Sequence, residues 1–311
     1  MNGRQLSYQY YVQFGAPMIA SEFAAVADRI AVGLVGHGSE CFGYDDDVSR
    51  DHDYCSGFCL WLSDADYAAF GQALQYAYMH LPQTFEGVRL TRTGMDRQEY
   101  RGVMRVHDFY RPYMGDSQPP RDLAHWLSID EIYLAEATNG EVYRDDAGEF
   151  SRIRQAIAHY PPDVRLKKLA AHLLFAAQSG QYNYARCVAH GEMGAAVLAL
   201  HTFAEHVAHA VYLLSDRYAP YYKWLLRGLR DFPLGQSVAE MLTALLTKSH
   251  TPDTLGEDAA LVDGIARLVA AVLREEGLSA APNDYLEPHA YQVRRQIHDP
   301  ALRAMHIMQG V

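Results

Sequence analysis

Lysine is scarce in this 311-residue chain: Lys167, Lys168, Lys223 and Lys248 are the full complement. Acidic residues outnumber basic ones, 38 to 27, and the formal charge is -11. A phosphate backbone is gripped by clustered Lys and Arg that release counterions, so general nucleic-acid binding is not expected. Cysteine is equally thin. Cys41, Cys55, Cys59 and Cys187 form no Cys-x-x-Cys pair, and a chain of this length needs no disulfide staples, so they read as reduced thiols. The apolar segment 16–36 is broken by Glu22, Asp28 and Arg29, and MNGRQLSYQYY has no basic region followed by an apolar one. Neither secretion nor a membrane span is expected, which leaves the cytoplasm. Internal repeats and low-complexity tracts are absent from the sequence as well.

What is present suits globular structure: 49% hydrophobic residues and 21% charged, with length enough for two domains that each bury a core. Phe23, Ala24, Val26, Ala27 and Ile30 fall at helical spacing after Ser21 and predict a first helix over 21–29. Residues 30–35 form a short apolar run ending in Gly36-His-Gly38, the pattern of a buried strand stopped by a glycine turn. A second strand is expected over 51–62, a helix over 67–80, and further strands over 88–93 and 103–107. After Gln118-Pro-Pro120 the pattern becomes helical, opening at Ser128-Ile-Asp-Glu131 with a capping-box signature. Helices are expected near 147–160, 163–179, 192–215, 219–230, 236–248 and 258–277. The reading is an α+β chain with a mixed-sheet domain over 1–125 and a helical bundle over 126–311.

The chemistry concentrates in Gly38-Ser-Glu-Cys-Phe-Gly-Tyr-Asp-Asp-Asp-Val-Ser-Arg-Asp-His-Asp53. On a strand, side chains alternate between faces, so Asp51 and Asp53 project together, about 6 to 7 Å apart along the chain. Two such carboxylates can share divalent cations, and hard oxygen ligands select Mg²⁺ or Mn²⁺ over zinc. The turn at Gly38 and Ser39 offers free N–H groups and a hydroxyl to anionic oxygens. Residues 40–50 are enough chain to return the aspartates beside that turn. Phosphoryl-type transfer needs this proximity, because it consists mostly of positioning and charge neutralisation.

This segment resembles the signature of the DNA polymerase beta-like nucleotidyltransferase superfamily, which includes kanamycin and streptomycin nucleotidyltransferases. A closer resemblance, over roughly residues 30–230, is to an uncharacterised family within it, known chiefly as a domain of unknown function. It is carried by 38–53 and then by Ala137-Thr-Asn-Gly-Glu-Val-Tyr-Arg-Asp-Asp146, Arg165-Leu-Lys-Lys168, Gln178-Ser-Gly-Gln-Tyr-Asn183 and Arg217-Tyr-Ala-Pro-Tyr-Tyr-Lys-Trp224. The resemblance implies a nucleotidyltransferase palm followed by a helical bundle that closes over the nucleotide. One departure concerns the superfamily's third carboxylate: the strand Val103-Met-Arg-Val-His107 has no central acid, so Glu99 or Asp108 at its ends substitutes, or the acid comes from the helical part.

Other residues divide between functional and structural readings. Lys223, amid Tyr218, Tyr221, Tyr222 and Trp224, reads equally as a snorkelling surface lysine or as a contact to the triphosphate; the resemblance, in which the helical domain supplies a cation to the phosphates, implies the contact, and Lys168 is a weaker candidate for the same task. Glu141, after the Asn139-Gly140 turn, is the candidate general base, whereas Asp146 is expected to cap a helix. His201, Glu205 and His209 share a spacing that faces one metal in principle, but histidines among alanines and leucines read as core or boundary residues rather than zinc ligands. The expected activity is transfer of a nucleoside monophosphate, AMP from ATP, to an acceptor on a small molecule, an RNA end or a protein side chain, releasing pyrophosphate. A catalytically silent nucleotide-binding regulatory module with the same fold is the alternative.

Overall fold

The computed structural model describes residues 1–49, 57–89 and 101–311. The chain divides into two compact units, 1–120 with 133–158, and 121–132 with 159–311. The fold is α+β: helices surround a small mixed sheet in the first unit, and the second unit is helical among its described residues.

The first unit's strands are β1 (Ala31–Leu34), β2 (Cys59–Leu62), β3 (Thr84–Phe85), β4 (Val88–Arg89), β5 (Gly102–Arg105) and β6 (Glu141–Arg144). Four of them form one sheet in the order β5-β2-β1-β6, while β3 and β4 make a separate hairpin. β1 runs antiparallel to β2, with Val32 opposite Leu60, and antiparallel to β6, with Leu34 opposite Glu141. β2 and β5 are parallel, Leu60 facing Val103. All residues of β1 and β2 are buried, as expected for central strands covered on both faces. Tyr10, Tyr11, Ile19, Phe58, Leu60 and Leu74 pack one core, and Trp61 stacks on Phe150 at 3.8 Å.

Two local expectations are corrected, and a third is met in its described part. Residues 24–29 form a 3₁₀ helix, preceded by the Gly3–Tyr10 and Ala16–Glu22 helices, which the polar and aromatic opening does not advertise. Glu141–Arg144, expected as the link between the Asn139-Gly140 turn and the next helix, is a strand, because Val142 and Tyr143 favour extended structure and β1 offers a partner. The strand expected over 51–62 is observed from Cys59 to Leu62, and 50–56 lie outside the described residues.

In the second unit the Pro162–Ala176 and Met193–Leu214 helices pack together, and the latter also meets Pro233–Thr247. Met193–Leu214 alone among the described helices is long and apolar enough to cross a membrane, yet more than half of its most apolar window is buried. Apolar residues around most of its circumference are what a central core helix requires. Lys167, fully buried, donates from Nζ to the carbonyls of His306, Ile307 and Gln309 and pins the C-terminal segment.

Candidate functional site

The site begins where β1 ends. Gly36 and Gly38 adopt φ of 115° and 125°, a region that disfavours any side chain, and they flank the exposed His37. A Cβ on Gly38 would lie 2.6 Å from a carboxylate oxygen of Glu40. The turn is therefore glycine for two reasons, conformation and lack of room. Ser39 opens the short helix Ser39–Phe42, whose C-terminal end is closed by Gly43 and by Arg4 donating to the Cys41 carbonyl at 2.6 Å.

Polar groups brace this turn from three sides. Glu40, buried, pairs with Arg101 at 2.6 Å, linking the turn to the start of β5. The Asn139 side chain accepts from the Gly36 N–H at 2.9 Å and donates to the Gly36 carbonyl at 2.8 Å. Gly140 follows with φ 66°, where a Cβ would strike the Leu34 carbonyl oxygen. Glu136 reaches His37 Nδ1 at 3.2 Å and is nearly buried, and the Tyr113 hydroxyl lies 3.0 Å from where a Gly36 Cβ would stand. Burial, reinforced by the charge of Glu136, raises the Tyr113 phenol far above its ordinary range, so it stays a neutral donor. Burial likewise keeps the Cys41 thiol protonated, though Arg101 opposes it. Such a thiol is no nucleophile.

Gly38 and Ser39 thus stand at the end of a buried central strand, and Glu141, exposed, opens β6 directly across from Leu34. Asp51 and Asp53 lie outside the described residues, as does Glu99. Asp108 is largely exposed on the Val106–Met114 helix, 3.9 Å from Arg105. Lys223 is exposed at the start of Tyr222–Leu229, its Nζ 5.3 Å from the Trp224 ring. Lys168 is buried, donating to the Gly310 carbonyl at 3.0 Å and lying 5.5 Å from the Tyr160 ring centroid. Asp146 does not cap: it pairs with Arg144, and Asp145 instead accepts from the N–H groups of Gly148 and Ser151 at the Glu149–Ala156 helix. Glu136 is the residue that spacing did not single out. Its position just before the Asn139-Gly140 turn is the one signal it carried.

In the second unit a shallow recess of about 160 Å³ is bordered by His159, Arg165, Asp216 and Arg217. Nucleotide-sized pockets run to roughly 300 Å³ and above, so this recess holds no nucleotide by itself.

Residues 126–225, less than half of the chain, match the model of a family described as Domain of unknown function (DUF4037). The match encloses four of the five motifs that carry the family resemblance, and the Gly38–Asp53 motif falls outside it. Among solved structures, a nucleotidyltransferase-like protein from Exiguobacterium sibiricum 255-15 is similar at 13% identity and a TM-score of 0.35, over 84% of this chain and 76% of that one. No curated protein matches.

Proposed function

We propose that the protein is a Mg²⁺-dependent nucleotidyltransferase that moves AMP from ATP to an acceptor hydroxyl or similar nucleophile. The observation that carries this reading is the Gly36–Ser39 turn: two positive-φ glycines at the end of a buried central strand, a serine opening the next helix, and Glu141 across the strand pair. Anionic oxygens suit the N–H groups of Gly38 and Ser39 at such a turn. Carboxylate and hydroxyl oxygens are the donors that a hard cation takes, and of the nearby acids Glu40 is already neutralised by Arg101.

In this reading Asp51 and Asp53 hold the metal, and Glu136 is the acid contributed by a helix in place of one from β5, which has none. Bound Mg²⁺ supplies neutralisation of charge on the triphosphate oxygens. Gly38 and Ser39 grip the phosphates, and the exposed Lys223 adds a cation. Lys168, engaged by Gly310, supports the helical unit. The acceptor oxygen attacks the α-phosphorus, the bond to the bridging oxygen breaks, pyrophosphate leaves, and Glu141 takes the acceptor's proton.

Pyrophosphate release from ATP and MgCl₂, measured with small hydroxyl compounds, RNA ends and protein substrates in turn, tests the assignment. Asp51→Asn and Asp53→Asn are expected to lower the rate by about 100-fold or more. Release undiminished in those variants overturns it. The lack of an acid in β5 motivates a second reading, a silent nucleotide-binding module. Calorimetric ATP binding without turnover on any acceptor class selects it.

A further inference from the structure

We propose that Glu131, His172 and His209 form a binding site for a zinc-class divalent ion within the helical unit, with His206 as the outer partner that orients His172. The site is independent of the nucleotide chemistry above. Its residues come from three helices. Glu131 opens Glu131–Thr138, His172 sits in Pro162–Ala176, and His206 and His209 lie three apart in Met193–Leu214 and so share one face.

The geometry is that of a ligand set. One donor atom from each of Glu131, His172 and His209 lies within 4.8 Å of the other two. His209 Nδ1 is 3.0 Å from one Glu131 oxygen, and His172 Nε2 is 3.5 Å from the other. A tetrahedral ion with bonds of about 2.0–2.1 Å holds its ligands roughly 3.3 Å apart, so the two histidine–carboxylate spacings already match, and the set as a whole, within 4.8 Å, closes inward on an ion. The rings of His172 and His209 are parallel to within 7° at 4.8 Å.

An outer partner completes the arrangement. His172 Nδ1 lies 2.8 Å from His206 Nδ1, and one of the two nitrogens must carry the proton. With the proton on His172, Nδ1–H donates to His206 and the Nε2 lone pair faces the cluster, the tautomer that a metal needs. Without an ion, the opposite tautomer lets Nε2–H serve the Glu131 carboxylate. His206 is itself fixed by stacking on Phe175 at 4.4 Å. Burial keeps His172 and His206 neutral, with pKa values pushed down to about 4 and about 3. Burial opposes ionisation of Glu131, but hydrogen bonds from His172 and His209 outweigh it and hold the carboxyl well below the usual range. Neutral imidazoles beside a carboxylate are the protonation state in which metals bind.

Donor type selects the ion. Two imidazoles and one carboxylate suit Zn²⁺ or Co²⁺ rather than Mg²⁺, and three protein ligands leave a fourth position for water. Lys168 is the further charge that acts on His172, and like burial it disfavours protonation of that ring, whereas Glu131 favours it. His209, partly exposed, marks the side from which an ion enters.

The test uses the full chain, free of any histidine tag and dialysed against EDTA, titrated with Zn²⁺ by calorimetry and with Co²⁺ by visible absorption. The wild type is expected to take up one tight equivalent, give the spectrum of tetrahedral Co²⁺, and melt at a higher temperature with Zn²⁺ than without. His209→Gln and His172→Gln are each expected to weaken this equivalent by at least 100-fold, and His201→Gln, at an exposed position on the same helix, to leave it unchanged. His209→Gln, at the partly exposed position, keeps the question answerable if His172→Gln fails to fold. No saturable binding by the wild type, equal affinity in His209→Gln, or an equal loss in His201→Gln overturns the proposal.

Discussion

The glycine turn and the histidine cluster are built on opposite principles. At 36–39 the surface proposed for phosphate is backbone, shaped by two glycines and held by side chains that bond to it from outside. At Glu131, His172 and His209 the surface is side chain, carried on helices whose backbones are already satisfied. The first suits oxygen anions and hard cations, and the second suits a softer ion. A contiguous motif suffices for the first, because conformation is local. The second exists only once three distant helices have packed.

The largest expected difference between the regions lies in how each tolerates loss of a charge. Arg101→Met leaves Glu40 buried without its cation, which should cost about 3–5 kcal/mol, since removing one partner of a buried pair strands the other. Glu131→Gln, measured without metal, keeps an acceptor for two neutral imidazoles and should cost less, about 2 kcal/mol. Urea unfolding of both variants measures the contrast. Equal costs would mean that the two buried acids serve the same structural purpose.

Next in size is Asn139→Ala. It removes two hydrogen bonds to Gly36 and should cost about 2 kcal/mol, because the buried backbone groups it serves are left unmatched. Pyrophosphate release should fall further than stability does, by about tenfold at temperatures where the variant is fully folded. A variant that loses stability and keeps its rate would detach the turn from the chemistry.

These cases show what the sequence could and could not disclose. Gly38 and Ser39 were legible because an apolar run ending in glycines fixes both a strand and its turn, and the strand is found at Ala31–Leu34. The long helices at Met193–Leu214, Pro233–Thr247 and Leu255–Glu275 were legible from apolar periodicity and their breakers. β6 was not, because Val142 and Tyr143 are too short a strand-favouring run between Glu141 and Arg144 to stand out, and the segment becomes a strand by pairing with β1. His209 was considered with His201 and Glu205, which share its helix but are exposed. Its actual partners, Glu131 and His172, are reached only through tertiary packing, and no spacing rule encodes them.

A pH scan offers a control within the helical unit that involves no histidine pair bridging a carboxylate. Asp258 accepts from Tyr184 at 2.5 Å and from Thr254 at 2.9 Å, and lies beside Lys248 and His250. Burial opposes its ionisation, but these hydrogen bonds prevail and draw its pKa down to about 2. A depressed carboxyl stabilises the fold fully above its unfolded value, about 3.9, and that contribution disappears as pH falls through the folded value. Roughly 2 kcal/mol should therefore be lost between about pH 4 and pH 2, and Asp258→Asn should flatten that part of the stability curve.

The smallest expected effect is at Lys223, and it separates binding from folding. The side chain is exposed and lies beside Trp224, so Lys223→Gln should change stability by no more than about 0.5 kcal/mol. If it meets the triphosphate, KM for ATP should rise several-fold with kcat little changed, the pattern of a contact made equally in ground and transition states. Added salt should narrow the gap between variant and wild type, because screening weakens an exposed cation that acts at a distance. A KM that is the same in both proteins at low salt removes Lys223 from the nucleotide's surroundings and leaves the glycine turn as the phosphate-binding element of the proposal.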